Sequence, residues 1–574
     1  MKVRYATIDI ETTGLSRFKE TINYVGVGLA EDIGSPLKKI MFNIDKEGSK
    51  NKLLDFFAKL RRHKVKLIWQ NGKFDTLFLE YHGYGRLPIS DDIMLMGTAY
   101  DLSAKHGLKA MAQKYLGVED WEVATKVKTS ANNKDTERYL MNGDVPYTWE
   151  LFCFFHESMT EKQMFIYKNL LKPSYLMYRD VERNGIYIDG KGLEKVKTTY
   201  NAEQVKKGEI LNCRYNINWS SPKQVSEALF DKEGLPQQKI SEKTGIPSSD
   251  AKTLKKLASM GYTLPQQLLD YKFYYGANTK FLNKWGEYAK YDGRIHPSFG
   301  LTNVVTGRTS CKEPNLQQVP RNPELRNLYT APEGRVLLEA DYSQIELRIA
   351  AHIANDPTMI KIYNDGGDIH STTGASLVGC NIKDLSKEDR GKAKAVNFGF
   401  LFGMSARGFI DYAFDSYGVV FTYNEAVRYR ELFFTKYSRL LQWHKEMGQR
   451  CELMGGVENM WGQFRSLPDI YSRNGRERSG AHRRAINTPV QGTASGLMLL
   501  ASAEVNKVLT KEIDLKLVGT VHDAILADVP LKYLDTAIVE IKRIMAHPSA
   551  MEKFGVSFKV PIVADVGVGP WGGK

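Results

Sequence analysis

Two short runs, far apart along the chain, each place an aspartate at the end of an apolar strand pattern. Val336-Leu337-Leu338 leads into Asp341-Tyr342-Ser343-Gln344-Ile345-Glu346-Leu347-Arg348, and Leu515 to Ala527 is largely apolar around Val521-His522-Asp523. A strand delivers a carboxylate to a fixed position, and two such carboxylates from remote segments are what a two-metal phosphoryl-transfer site requires. The chain must therefore bring distant segments into one sheet, with Asp341 and Asp523 as the candidate metal ligands. Taken alone, either aspartate would read as a helix or turn cap.

A second set of carboxylates lies near the N-terminus. Asp9-Ile10-Glu11 sits in a strand pattern from Tyr5 to Ile10; residues two apart share a face, so both carboxylates project to the same side. Asp75 in Asn71-Gly72-Lys73-Phe74-Asp75, and Asp144 on the helix running into Trp149-Glu150-Leu151-Phe152, supply two more. Between the two sets, Arg390, Lys394 and Phe398 recur every four residues and line one face of a helix. Two cations and a ring on one face suit a nucleoside triphosphate: the cations meet phosphates and the ring packs on sugar or base.

With 574 residues the chain is too long for one core, so three or four domains are expected. Strands at Tyr5 to Ile10, Tyr24 to Leu29 and Val65 to Trp69, with a helix at Leu53 to Arg62, give an α/β start. From about Met159 to Ala289 the pattern is helical and charged, with caps in Ser220-Ser221-Pro222-Lys223 and Pro247-Ser248-Ser249-Asp250. Strands follow Arg294, helices run from Asp368 to about Met447, and strands return around His522. A net charge of +14 favours a polyanionic partner. Five scattered cysteines without a CxxC pair argue against a zinc site or disulfide framework. No apolar run approaches the ~20 residues that span a bilayer, which predicts no membrane partner. The start leads straight into a strand, without a signal or transit peptide, and predicts a cytoplasmic protein.

The string from Asp341 to Arg348, the helix Arg390 to Gly399 and Val521-His522-Asp523 resemble, in order, motifs A, B and C of the family A DNA polymerases, the family of bacterial DNA polymerase I and several phage replicative enzymes. Asp9, Glu11, Asp75 and Asp144 resemble the four acidic positions of a DEDD 3′-to-5′ exonuclease. The resemblance implies an α/β and α+β multidomain fold: an RNase H-like exonuclease domain over 1–160, thumb and connecting helices over 161–293, palm over 294–365, fingers and the return to palm over 366–495, and the second palm part over 496–574. It implies a monomer working on primer-template DNA and deoxynucleoside triphosphates, with two Mg²⁺ ions at each site and accessory replication proteins left open.

It also assigns residues. Asp341, Asp523 and the Tyr342 backbone carbonyl would hold the polymerase metals. Lys394 would contact the α-phosphate, Arg390 and His370 the β- and γ-phosphates, with Phe398 and Gln344 also at the nucleotide. Phe398, in place of Tyr, predicts discrimination against dideoxynucleotides. Glu346 would close the space of a ribose 2′-OH. Its usual Tyr partner is Phe402 here, which predicts weaker rejection of ribonucleotides. Arg308, Arg483, Asn487, Gln491 and His522 would face DNA, probing minor-groove acceptors common to all base pairs.

Two departures stand out. Motif C reads His522-Asp523-Ala524 where the family carries a Glu at the third position. In the exonuclease, the family places a Tyr four residues before the last Asp; here Tyr139 lies five before Asp144 and Leu140 takes the usual slot. One residue on a helix turns a side chain by ~100°, so a regular helix would point Tyr139 away; Tyr139 is expected still to orient the attacking water, on a local backbone that is not regular helix. The absence of a 5′ nuclease ahead of Met1 suggests a phage or other replicative enzyme. A repair enzyme of the same chemistry, or a DNA-binding factor with an inactive polymerase site, are the alternatives.

Overall fold

The computed structural model describes residues 3–119, 121 and 139–573. They form two compact units, one of 1–184, 299–311 and 339–566, the other of 185–298, 312–338 and 567–574.

The first unit opens with a five-stranded sheet of β1 (Tyr5–Thr12), β2 (Ile22–Ala30), β3 (Lys38–Asn43), β4 (Lys66–Trp69) and β5 (Asp91–Asp92), in the order β3-β2-β1-β4-β5. β1 is central, antiparallel to β2 and parallel to β4. Its residues Ala6, Ile8 and Ile10 are all buried, so the alternation sends Asp9 and Glu11 together to the opposite face. Helices α1 (Gly72–Tyr81) and α2 (Val145–Ser158) carry or adjoin the other two carboxylates.

Helix α3 (Lys172–Asn184) follows, with Tyr175, Tyr178, Val181 and Glu182 buried. Lys73 of α1 forms a buried ion pair with Glu182 and donates to the Phe299 carbonyl. The Tyr178 hydroxyl lies 2.8 Å from Thr520 Oγ1, and Asn184 donates to the Leu517 carbonyl at 2.9 Å.

The second half of the unit is built around β6 (Arg335–Tyr342), in whose sheet the order is β7-β8-β6-β9 with β7 (Lys516–Val521), β8 (Ala524–Pro530) and β9 (Ala564–Val568). Between β6 and β7 runs a helical excursion including α4 (Ile345–Ala354), α5 (Ile369–Val378), α6 (Lys387–Leu401) and the long α7 (Gly475–Ile513). Helix α6 starts at a Ser386 cap that accepts from the Asp389 N–H.

The second unit has its own core of Leu211, Trp219, Val225, Leu229, Leu254, Leu257, Leu264 and Leu268. Most of these come from helices over Gly190–Arg214, Pro222–Ser226, Ala251–Ser259 and Thr263–Ala277, with Leu229 from the π-type segment Glu227–Lys232 and Trp219 from the turn before Ser221; Ser221 and Asp250 cap their helices as expected. The compact units divide the chain differently from the expected thumb at 161–293. Residues 161–184 group with the first unit, because the buried face of α3 packs there, and 312–338 and 567–574 group with the second.

Among the described residues, no helix is long and apolar enough to cross a membrane.

Candidate active sites

On the first sheet, carboxylate oxygens of Asp9, Glu11 and Asp144 all lie within 4.8 Å of one another. Asp75 stands beside them, accepting from the Ile10 N–H at 3.2 Å. Crowded acids resist ionisation. Burial, then Asp144, Asp75 and Glu11, push the Asp9 carboxyl well above its usual range. Burial and Asp144 raise Glu11 to about 7, with Lys109 opposing. Burial likewise raises Asp75, against the hydrogen bonds from its own backbone and that of Ile10. Hard oxygen donors held this closely are suited to divalent cations of the Mg²⁺ kind.

Asp144 closes a π-type turn over Leu140–Asp144, where the Val145 N–H donates to the Leu140 carbonyl five residues back. Leu140 is fully buried against Tyr24 and Val145. The wider turn leaves Tyr139, one residue earlier, with its ring 5.3 Å from the Lys109 ammonium. The same ammonium lies 5.8 Å from the Trp121 ring, and Trp121 donates to Asp144 at 3.0 Å. Lys109 and Trp121 escaped the sequence reading, since each stands in a segment without a motif. The approach of Trp121 to Gly143, where an added Cβ would lie 2.3 Å from its ring, gave only the signal of one glycine.

On the second sheet, Asp341 is the penultimate residue of β6. Asp523 lies in the two-residue turn joining β7 to β8, where Val521 pairs with Ala524 and His522 takes a positive φ of 55°. The Tyr342 N–H donates to the Asp523 carbonyl at 3.2 Å. The two aspartates thus meet from segments some 180 residues apart: burial raises the Asp523 carboxyl, Asp341 adds to the rise, and Arg308 and His522 oppose it. Ala524 is buried in β8, so no third carboxylate comes from motif C.

Glu346, in the first turn of α4, is raised to about 6 by burial although Arg308 pairs with it. Arg308, expected at DNA, is here the partner of Glu346. Gln344, at a positive φ of 54°, donates to Asp368 at 3.1 Å and accepts from the Tyr363 hydroxyl at 3.1 Å. Asp368 also accepts from Arg390 at 2.8 Å. The Ser371 hydroxyl, then Arg390 and His370, hold its carboxyl well below the usual range despite burial.

Along α6, Arg390 and Lys394 are exposed and Phe398 is half-buried, while Ala393, Val396, Asn397 and Phe400 are buried. One face is therefore open and cationic. The His370 ring of α5 stands 5.8 Å from the Phe398 ring, and burial lowers its pKa to about 4. Phe402 ends the helix. Arg483, Asn487 and Gln491 lie along α7; Arg483 donates to Ser479 at 2.9 Å, and the Asn487 side-chain oxygen is buried without a partner among the described residues.

A mixed sheet bearing a four-carboxylate cluster, followed by a second sheet split by a helical excursion and bearing two more aspartates, is the layout of an RNase H-like domain joined to a polymerase-type domain. Family models bear this out, with the RNase H superfamily matching residues 6–149 and DNA polymerase family A matching residues 191–572. The chain belongs to DNA polymerase family A. It is 28% identical to DNA polymerase I of Pseudomonas aeruginosa over 98% of this chain and 62% of that protein. It is 32% identical to DNA polymerase I of Caldicellulosiruptor bescii over 70% of this chain and 46% of that protein. The chain thus spans about half to three fifths of the length of these relatives. In fold it resembles the POL domain of Pol1 from M. smegmatis, solved in complex with DNA primer-template and dNTP, with a TM-score of 0.83 at 22% identity, covering 99% of this chain and 95% of that one.

Proposed function

We propose that this chain extends the 3′ end of a primer on a DNA template with deoxynucleoside triphosphates, and that its RNase H-like domain removes mispaired 3′ nucleotides. The observation that carries the reading is the meeting of Asp341 and Asp523 at adjoining strand ends, in a family whose relatives are named DNA polymerases. Asp341, Asp523 and the Tyr342 carbonyl would hold Mg²⁺ at the polymerase site, and Asp9, Glu11, Asp75 and Asp144 at the exonuclease site. Bound there, the cations would lower the pKa of the attacking oxygen and neutralise charge on the phosphate.

The chain's own groups do the rest. In synthesis the primer 3′ oxygen bonds to the α-phosphorus and the bond to pyrophosphate breaks. Lys394 and Arg390, on the open face of α6, meet the triphosphate, and Lys394 gives a proton to the leaving pyrophosphate. Phe398 packs against the nucleotide and Glu346 fills the space of a 2′-OH. In excision Tyr139 orients the attacking water. Arg308, Arg483, Asn487, Gln491 and His522 face the duplex, with Arg308 exchanging Glu346 for DNA when it binds.

Primer extension and excision of a 3′ mismatch, each measured on Asp341→Ala and Asp9→Ala, test this. Each change is expected to abolish one activity and spare the other. Extension undiminished in Asp341→Ala would remove the polymerase assignment.

A further inference from the structure

Four polar side chains meet in the interior of the helices around α5 and α6, each almost without exposure: His370 at 3%, Thr373 at 1%, Asn397 and Tyr437 at 0%. They form a chain of contacts. The Tyr437 and Thr373 hydroxyl oxygens are 2.8 Å apart, Thr373 Oγ1 lies 2.9 Å from Asn397 Oδ1, and Asn397 Nδ2 lies 2.8 Å from His370 Nδ1.

With the Asn397 amide oxygen turned to Thr373 and its nitrogen to His370, the proton inventory of these groups sets the direction of the chain. An amide oxygen only accepts, so Thr373 gives its single proton to Asn397. Tyr437 must then donate to Thr373. An amide nitrogen only donates, so Nδ1 of His370 accepts, and the ring's own proton is left on Nε2. The ring carries only that one proton near neutral pH, because burial, followed by Arg390 and Lys394 and against Asp368, disfavours the imidazolium.

We propose that Asn397, held by Thr373 and Tyr437, is a positioning residue that locks His370 as the Nε2–H tautomer, so that a neutral ring offers a donor and not a lone pair to the phosphates of the incoming nucleotide. This rests on the reading that His370 meets the triphosphate. Between Arg390 and Lys394 a neutral donor adds a directed hydrogen bond without a third charge. The opposite tautomer would turn a lone pair toward an anion.

The test is ¹⁵N NMR of the full chain labelled at histidine, with His370 assigned by loss of its signal in His370→Gln. The expected spectrum shows a protonated Nε2 and a bare Nδ1. Asn397→Asp keeps the shape but replaces the donor by a carboxylate, which accepts. It is expected to move the proton to Nδ1, to raise the nucleotide KM about tenfold, the scale of one charge-assisted hydrogen bond, and to make KM titrate with pH while kcat changes less. Thr373→Val, nearly isosteric, is expected to mix the two tautomers. Wild-type chain that extends primers but carries Nδ1–H, or an Asn397→Asp variant that keeps Nε2–H and the parental KM, overturns this inference alone. Failure of the wild-type chain to extend any primer counts instead against the polymerase reading.

Discussion

Burial raises the Glu346 carboxyl to about 6, with the Arg308 guanidinium beside it opposing the rise. Phe402 offers no hydroxyl to it. Phe402→Tyr is therefore expected to strengthen discrimination against ribonucleotides by about tenfold, one added hydrogen bond to a charged group, measured as the ratio of kcat/KM for dNTP and rNTP. The acids of the first sheet give a pH dependence. Glu11 rises from 4.5 to about 7 on folding, so the folded, metal-free chain binds the extra proton between these values. That contribution is present below pH 4.5 and is lost as pH rises through 7. In EDTA, Tm is expected to fall from pH 5.5 to 8, by on the order of 2 kcal/mol of stability. Mg²⁺, which needs the ionised acids, should raise Tm more at pH 8. Glu11→Gln should flatten the fall. The placing of Asp9 and Glu11 on one face was legible because a strand's alternation fixes where they point. Arg308 was read for DNA because nothing in its neighbours announces a pairing with Glu346.

At the scale of elements, the π-type turn at Leu140–Asp144 decides where Tyr139 falls in the RNase H-like domain. Counted on an ordinary helix, Tyr139 is one position out of place. A turn closed over five residues absorbs the extra one, sends Leu140 inward and leaves Tyr139 beside Lys109. Such single-turn widenings are rare and concentrate at functional sites. A one-residue insertion has no signature in local composition, so the sequence could state the condition but not show it met. Tyr139→Phe is expected to slow excision of single-stranded DNA by about tenfold or more, with primer extension unchanged. Gly143→Ala should lower excision as well, since its Cβ would collide with Trp121 and displace the donor to Asp144. The helix α6 was legible from a spacing of four, and its Ser386 cap sits where an unsatisfied N–H needs it.

Across the molecule, α3 ties the two halves of the first unit. Its Glu182 meets Lys73, two residues before Asp75, and its Tyr178 meets Thr520, three residues before Asp523. Lys73→Met leaves Glu182 buried without its cation and is expected to cost about 3–5 kcal/mol. Denaturant titration should then show excision and extension failing in one transition at lower denaturant, while Lys73→Met with Glu182→Leu recovers most of the loss. The sequence separated an α/β start from a helical stretch with a border near residue 160, whereas the compact units group 161–184 with the first. The charges of α3 read as thumb, and the helical spacing of its buried Tyr175, Tyr178 and Val181 shows an inward face without saying which unit that face packs on. An engineer who wished to trade the RNase H-like domain of this chain for that of a relative would do well to cut after Asn184. A graft ending at residue 160 would part Lys73 from its anion and leave both acidic clusters resting on a foreign beam.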